Sequence, residues 1–180
     1  RKGCSWSASL VFYVLFGFFT LEQWGRLVSI FASLASMSFL YLLVKKHADA
    51  TTAFFTAFFF ALLPYNIYYG RTILPDTTTV TATLLTIYFF DKWVSMKTVK
   101  YKKTLYYLIA LFFAMCAFLL KPYAGFFMLP MLYIAYQTFG LQLWKKWQLW
   151  VFAIGALLPF VAWRVWMAQF PQGIPANIWL

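Results

Sequence analysis

The stretch that decides the fold is a short polar hairpin, Tyr68-Tyr69-Gly70-Arg71-Thr72-Ile73-Leu74-Pro75-Asp76, which lies between two long apolar runs. Residues 51–67 before it and residues 77–90 after it contain no acidic or basic side chain. Arg71 and Asp76 therefore place opposite charges between segments that lipid would surround. Because an ionised pair costs several kcal/mol to take out of water, the hairpin is either a solvent-facing turn or the floor of a functional site at the membrane surface.

The composition is that of a membrane protein. Of the 180 residues, 64% are hydrophobic and 24% are aromatic, and the mean hydropathy is +0.74, whereas soluble domains are close to half apolar. The hydrophobic residues come in blocks of roughly 15 to 22, and a helix of about 20 residues spans a hydrocarbon core of about 30 Å. The sequence therefore predicts an all-α fold, a polytopic transmembrane helical bundle.

The basic residues indicate orientation rather than a nucleic-acid partner. The chain has 15 Lys and Arg against 4 acidic residues, a formal net charge of +11. Most lysines lie in short gaps between apolar blocks, in the pairs Lys45-Lys46 and Lys145-Lys146 and in the loop from Lys92 to Lys103. Such gaps are typical of cytoplasmic loops under the positive-inside bias. We therefore predict no nucleic-acid binding and assign these gaps to the cytoplasmic side.

The apolar blocks predict a single transmembrane domain over residues 1–180, with about six spanning helices, one short N-terminal helix and no soluble domain. The short helix covers residues 7–19, and the predicted spans cover residues 24–44, 51–69, 77–93, 104–120, 126–139 and 148–165. The chain begins at Arg1, and no small-residue cleavage site follows the first apolar block. We therefore expect a fragment of a longer protein rather than a signal peptide.

Four single cations lie on the opposite side of the predicted membrane. Each stands alone at the outer end of a different apolar block, and the four are Arg26, Arg71, Lys121 and Arg164. Long basic side chains snorkel to the interface, which by itself accounts for isolated cases. The alternative is that the four converge on one anion, such as a phosphate carried on a lipid, for which Arg supplies a bidentate fork and Lys a point charge.

Asp76 also has two interpretations. It follows Pro75 and precedes three threonines, so its carboxylate could cap the next helix and meet the positive end of the helix dipole. A carboxylate held beside a cationic site could instead orient Arg71, bind a polar acceptor or help to place a metal. The two interpretations are compatible with each other.

The other acidic residues are predicted to be solvated, Glu22 in an exposed loop and Asp49 and Asp91 at cytoplasmic helix ends. His47 has no second His or Cys at metal-ligand spacing, and the two cysteines indicate neither a disulfide nor a metal framework. We therefore predict no metal ligand, while the use of a divalent metal as cofactor stays open.

Three segments resemble one family of membrane enzymes. They are the run Arg26-Leu27-Val28-Ser29, residues 64–76 with Arg71 and Pro75-Asp76, and Lys121-Pro122 before Pro130. Their order and spacing are similar to those of the dolichyl-phosphate-mannose protein mannosyltransferase-like superfamily, which includes the bacterial aminoarabinose lipid A transferases. The resemblance covers nearly the whole chain. It implies part of a GT-C membrane domain, and a glycosyltransferase that moves a sugar from a polyprenyl-phosphate carrier to an extracytoplasmic lipid, glycan or protein.

The resemblance also implies roles for single residues. Arg26, Arg71, Lys121 and Arg164 would contact the carrier phosphate, whose developing charge such cations stabilise. Asp76 would be the second acidic residue of the catalytic site. The family's catalytic base is an Asp in the first extracytoplasmic loop, which the resemblance places upstream of residue 1, so this chain alone is expected to be inactive. The donor would be a lipid-linked sugar, the other partners membrane lipids, and the location a bacterial inner membrane with the site on its outer face.

Two other classes of function stay open from the residues alone. A transporter or flippase would line an aqueous path with Arg71 and Asp76, although no charge lies at mid-span, where transport sites are usually found. A non-catalytic membrane subunit or scaffold would need neither residue. No sequence pattern indicates the sugar, the acceptor or the oligomeric state.

Overall fold

The computed structural model describes residues 20–70, 72–96 and 100–169, and within these ranges there are helices and turns but no strand. The α-helices are α1 (Leu21–His47), α2 (Ala50–Leu62), α3 (Pro64–Tyr69), α4 (Pro75–Ser95), α5 (Lys100–Leu120), α6 (Met128–Phe139) and α7 (Trp147–Met167), and two 3₁₀ helices cover Pro122–Phe127 and Gly140–Lys145. The prediction of an all-α helical membrane protein is confirmed. The short helix predicted over residues 7–19 lies outside the described residues.

Four helical segments in the described part of the chain are long and apolar enough to cross a membrane. They are Glu22–His47, Tyr101–Leu120, Pro122–Lys145 and Trp147–Met167. α2 is apolar but has only 13 residues, and α4 has 21 residues but is made more polar by its threonines. The chain is therefore a multi-pass membrane protein, and the total of six crossings stays a prediction.

α1 begins at Leu21 rather than at residue 24 because Thr20 caps it. The Thr20 hydroxyl accepts a hydrogen bond from the backbone N–H of Gln23, and the Gln23 side chain accepts one from the Thr20 N–H at 2.8 Å. Such a capping box satisfies two of the N–H groups that a helix start leaves without a partner. Glu22, predicted to lie in an exposed loop, is therefore exposed but belongs to the first turn of α1.

The helix predicted over residues 51–69 is broken into α2 and α3. Leu63, between them, has a ψ of 126°, because a residue that precedes proline is disfavoured in the helical region. α2 begins after Asp49, which is exposed as predicted, and the Asp49 carboxylate accepts a hydrogen bond from the Thr52 N–H at 3.0 Å. Asp49 thus caps the start of α2.

The chain divides into two compact units, residues 1–84 and 85–180, and the boundary falls inside α4. In the first unit α1 packs against α2 and against the first half of α4. α1 and α4 run parallel, because the Ser29 hydroxyl donates to the Thr72 carbonyl oxygen at 3.0 Å and the Ser36 and Thr81 hydroxyls are 2.9 Å apart. Small polar side chains let two helices approach closely and hydrogen-bond within lipid.

In the second unit, the second half of α4 packs with α5 and α7 around aromatic rings. The Phe152 ring centroid lies 5.3 Å from that of Phe90 and 5.7 Å from that of Tyr107. The Trp93 ring lies 5.2 Å from Tyr107. These edge-on and tilted pairs are the geometries that aromatic rings prefer, so this cluster fixes α4, α5 and α7 against one another.

α5 and α7 are also parallel. The Tyr107 hydroxyl donates a hydrogen bond to the Gln148 carbonyl oxygen at 3.1 Å, and further along both helices a Cβ atom at Gly155 would lie 3.2 Å from Leu111 Cδ1. A parallel pair needs a return segment between its members. Here the two 3₁₀ helices and α6, which together make the span Pro122–Lys145, supply it.

One predicted location is wrong. Asp91 was expected at a solvated helix end, but only 1% of the residue is exposed, and the Ser95 hydroxyl donates to its Oδ1 at 3.3 Å. Asp91 follows the buried Phe90 and precedes the buried Trp93 by two positions. The helix continues past it to Ser95, so the carboxylate lies inside the packed unit rather than at an end.

Candidate functional site

Arg26, on α1, is paired with Glu22. The Arg26 Nη2 atom lies 2.7 Å from Glu22 Oε1, and the two side chains are 59% and 65% exposed. Exposed pairs at this i,i+4 spacing contribute little to stability. Arg26 is therefore accessible to a ligand, but an anion that binds it has to compete with the Glu22 carboxylate.

The polar hairpin packs against the start of α1. A Cβ atom at Gly25 would lie 2.9 Å from Ile73 Cγ2, and the Ser29 hydroxyl reaches the Thr72 carbonyl oxygen. Thr72 and Ile73 therefore lie against the first turns of α1, at the end where Arg26 is found. Arg71, the central cation of the prediction, lies outside the described residues.

The hairpin is closed by hydroxyl groups that meet at one carbonyl. Thr72 and Thr77 each donate a hydrogen bond of 3.2 Å to the backbone oxygen of Tyr69. The second of these bonds connects the start of α4 to the end of α3, and Thr77 is buried. Thr72 and the start of α4 are thus both tied to the end of α3.

Asp76 is half-buried in the first turn of α4, which begins one residue earlier at Pro75. The prediction that Asp76 could be the N-cap is therefore corrected: it lies inside the helix. Its carboxylate still lies at the positive end of the α4 dipole, a favourable place for a negative charge. Because α1 and α4 run parallel, Arg26 and Asp76 lie at the same end of the first unit.

Lys121 and Arg164 lie at one end of the second unit. Lys121 follows the last residue of α5, is half-buried, and holds its Nζ atom 5.2 Å from the centre of the Tyr123 ring. Arg164 is half-buried in the last turn of α7. Since α5 and α7 are parallel, the register that sets Leu111 beside Gly155 brings Lys121 level with Arg164.

This end of the second unit carries positive charge without a nearby acid from the same unit. No acidic residue follows Asp91 in the sequence, and Asp91 lies next to the Trp93–Tyr107 contact, toward the other end of α5. Tyr107 and Lys121 are about 21 Å apart along the helix axis. An anion that reaches this end would meet two half-buried cations.

The structure thus brings the predicted site residues together in two groups. Arg26 and Asp76 share one end of the first unit, and Lys121 and Arg164 share one end of the second. The convergence of all the cations on a single anion stays a prediction. Within the described ranges, no three His, Cys, Asp or Glu side chains are grouped as they would be to hold a metal ion.

The first unit also has an open groove of about 260 Å³ between α1, α2 and α3. This groove was not predicted from the sequence. It exists because α2 and α3 are separate helices, and Pro64 was the signal that could have indicated the break. Asn66 donates a side-chain hydrogen bond to the Phe60 carbonyl oxygen across that break. The groove is lined by Ile30, Ser33, Leu34, Met37, Phe60, Ala61, Asn66, Ile67 and Gly70.

These observations define a multi-pass helical membrane protein with cations at helix ends. Residues 3–166 match the family described as dolichyl-phosphate-mannose-protein mannosyltransferase. The chain therefore belongs to the dolichyl-phosphate-mannose-protein mannosyltransferase family, and the resemblance found in the sequence is confirmed. No curated protein and no solved structure matches the chain significantly. Membership supports a membrane glycosyltransferase of the mannosyltransferase type, with a lipid-linked sugar as donor.

Proposed function

We propose that the chain forms part of a membrane glycosyltransferase that takes a sugar from a polyprenyl-phosphate carrier and passes it to a lipid, glycan or protein acceptor outside the cytoplasm. The observation that carries the proposal is the placement of Lys121 and Arg164 at one end of the parallel helices α5 and α7. Two half-buried cations at neighbouring helix ends suit a phosphate group, for which Arg supplies a bidentate fork and Lys a point charge.

The reaction explains why cations are needed there. An acceptor oxygen attacks the anomeric carbon of the sugar, the bond from that carbon to the phosphate oxygen breaks, and the electron pair leaves with the carrier phosphate. The acceptor proton passes to a base. The phosphate gains negative charge as the bond breaks, so cations fixed at its position stabilise the transition state more than the ground state.

The first unit supplies the second group of residues. In this proposal Arg26 and Arg71 contact the carrier phosphate with Lys121 and Arg164, and Asp76 is the acidic residue that this chain contributes to the catalytic site. Asp76 would orient a cation or bind the acceptor. The Glu22 carboxylate, 2.7 Å from Arg26, would have to be displaced when the phosphate binds.

The lysine-rich gaps support the orientation of the protein. Under the positive-inside bias, Lys45-Lys46, the loop that begins after α4, and Lys145-Lys146 face the cytoplasm. The ends that carry Arg26 and Lys121 would then face outward, where a bacterial inner-membrane enzyme meets its envelope acceptor. A polyprenyl tail would remain in the bilayer while its phosphate reaches the helix ends.

The proposal is tested by sugar transfer in membranes that contain the protein of which this chain is part. With a polyprenyl-phosphate mannose as donor, we expect Arg71→Ala and Arg164→Gln to abolish or strongly reduce transfer while the protein inserts normally. Lys102→Gln is the matched control, because it removes an exposed cation near the opposite end of α5. Full transfer by Arg71→Ala and Arg164→Gln would contradict these assignments. Solute flux through proteoliposomes without sugar transfer would favour a transporter.

A further inference from the structure

An aromatic and basic surface lies where two membrane-length segments meet. The span Pro122–Lys145 ends and the span Trp147–Met167 begins on either side of Lys146. Gly140, with a φ of 57°, ends α6 in a conformation that favours glycine, and the 3₁₀ helix after it leads to this junction. We call the side chains of Trp144, Lys145, Lys146, Trp147 and Trp150 the Trp–Lys patch.

The patch is exposed, yet its geometry is defined. Trp144 and Trp147 are each 68% exposed, and both lysines are exposed. The Trp150 Nε1–H donates a hydrogen bond of 3.2 Å to the Trp144 carbonyl oxygen, and the two indole rings lie 5.9 Å apart. This contact connects the 3₁₀ helix to the first turn of α7, so the rings and the lysines are presented together.

The chemistry of the patch matches an anionic amphiphile. Tryptophan is enriched at the boundary between hydrocarbon and headgroups because its ring is apolar and its N–H is polar. Leu141, one turn before Trp144, is 82% exposed and extends the apolar surface. The second unit has a single acidic residue, Asp91, and that residue is buried, so its surface offers the two lysines no carboxylate as counterion.

We propose that the Trp–Lys patch is a binding site for an anionic phospholipid. The headgroup phosphate lies against Lys145 and Lys146, and the acyl chains lie along Trp144 and Leu141. The site is separate from the candidate sugar-transfer site, because the patch adjoins the start of α7 whereas Arg164 lies in its last turn. We therefore assign the patch to a phospholipid of the membrane rather than to the lipid that carries the sugar.

The chain contains a matched control for this proposal. Lys45-Lys46 is a second lysine pair at the end of a membrane-length helix, and both of its lysines are exposed. It differs in lacking tryptophan neighbours and in having an acid, Asp49, three residues further on. If a lysine pair at the end of a membrane helix were sufficient to attract lipid, the two pairs would behave alike.

The test is native mass spectrometry of the detergent-purified protein of which this chain is part, titrated with phosphatidylglycerol or phosphatidylcholine of the same acyl composition. We expect the wild type to retain phosphatidylglycerol preferentially. Each lysine near an anionic surface contributes about fivefold in affinity, so Lys145→Gln/Lys146→Gln should reduce the preference at least about fivefold. Lys45→Gln/Lys46→Gln should reduce it less than twofold.

Two further measurements keep the test decisive. Trp144→Leu/Trp147→Leu keeps the apolar surface and the charge but removes the indoles, and we expect it to weaken phosphatidylglycerol retention as well. Raising salt should lower the wild-type preference even if the lysine variant folds poorly. Equal losses in the two lysine-pair variants would overturn the proposal. So would a preference that is independent of both Lys145-Lys146 and salt.

Discussion

The hydroxyl of Thr81 on α4 lies 2.8 Å from the carbonyl oxygen of Ala32 on α1. The same hydroxyl is 2.8 Å from the Thr77 carbonyl oxygen of its own helix. A threonine has one proton to donate, which these two carbonyls share, so the Ser36 hydroxyl at 2.9 Å acts as donor to Thr81. Thr81 thus joins the two parallel helices whose starts carry Arg26 and Asp76.

We expect Thr81→Val to loosen that junction. Hydrogen bonds between membrane helices contribute about 0.6 kcal/mol on average and at most about 1.7, so thermal unfolding in detergent should occur at a lower temperature. Thr78→Val is the matched control, since the Thr78 hydroxyl donates to the Pro75 carbonyl oxygen of its own helix. Equal stability of Thr81→Val and Thr78→Val would contradict an interhelical role for Thr81.

Glu22→Gln should affect ligand affinity more than stability. An exposed pair such as Arg26–Glu22 contributes less than about 1 kcal/mol to folding, so the unfolding temperature should hardly change. If Arg26 contacts the carrier phosphate, removal of the competing carboxylate should raise the affinity for a polyprenyl phosphate about two- to threefold. The gain should vanish in an Arg26→Gln background, and a gain that persists there would show that Glu22 acts through another residue.

Asp49 should make the stability of the protein depend on pH, in a direction that follows from the pKa of its carboxyl group. The Thr52 hydroxyl at 2.6 Å and the Thr52 N–H at 3.0 Å hold the pKa of the Asp49 carboxyl below its ordinary value of 3.8. The capping contribution is therefore fully present above pH 3.8 and is lost as the pH falls through the folded-state pKa.

We accordingly expect Asp49→Ala to unfold at a lower temperature than the wild type at neutral pH, with a difference that shrinks in acid. Asn is also a good N-cap but does not ionise in this range. The difference between Asp49→Asn and Asp49→Ala should therefore stay constant with pH. A wild-type advantage over Asp49→Ala that grew in acid would contradict this account of the cap.

Asp91→Ala should destabilise the protein by about 1 to 3 kcal/mol, because a buried carboxylate is retained only where its oxygens have partners and its loss strands those partners. Thermal unfolding in detergent measures the effect. Glu22→Gln replaces an acidic side chain at an exposed position and serves as the control. Equal unfolding temperatures for Asp91→Ala and the wild type would mean that Asp91 is solvated, as the sequence predicted.

The sequence was sufficient for the fold class, because long apolar blocks in this composition have few structural solutions other than membrane helices. Local signals were present but interpreted too coarsely. Thr20 and Gln23 stand at the spacing of a capping box, and Pro64 marks the break between α2 and α3. Contacts between segments that are distant in the chain could not be predicted from the sequence. The burial of Asp91 depends on which helices cover it, and the parallel pairing of α5 and α7 depends on contacts between distant residues such as Tyr107 and Gln148.

In the proposed function, cations at the helix ends bind a carrier phosphate. The most direct measurement is binding of a short-chain polyprenyl phosphate, such as geranylgeranyl phosphate, to the detergent-purified protein, with Lys121→Glu and Arg164→Glu compared with Lys102→Glu. A hydrogen bond to a charged group contributes about 1.5 to 3 kcal/mol, so each of the first two changes should weaken binding at least about tenfold, while Lys102→Glu leaves it unchanged. Absence of binding, or an affinity that neither Lys121→Glu nor Arg164→Glu changes, would contradict this prediction. The two cations would then be side chains that only snorkel to the membrane interface.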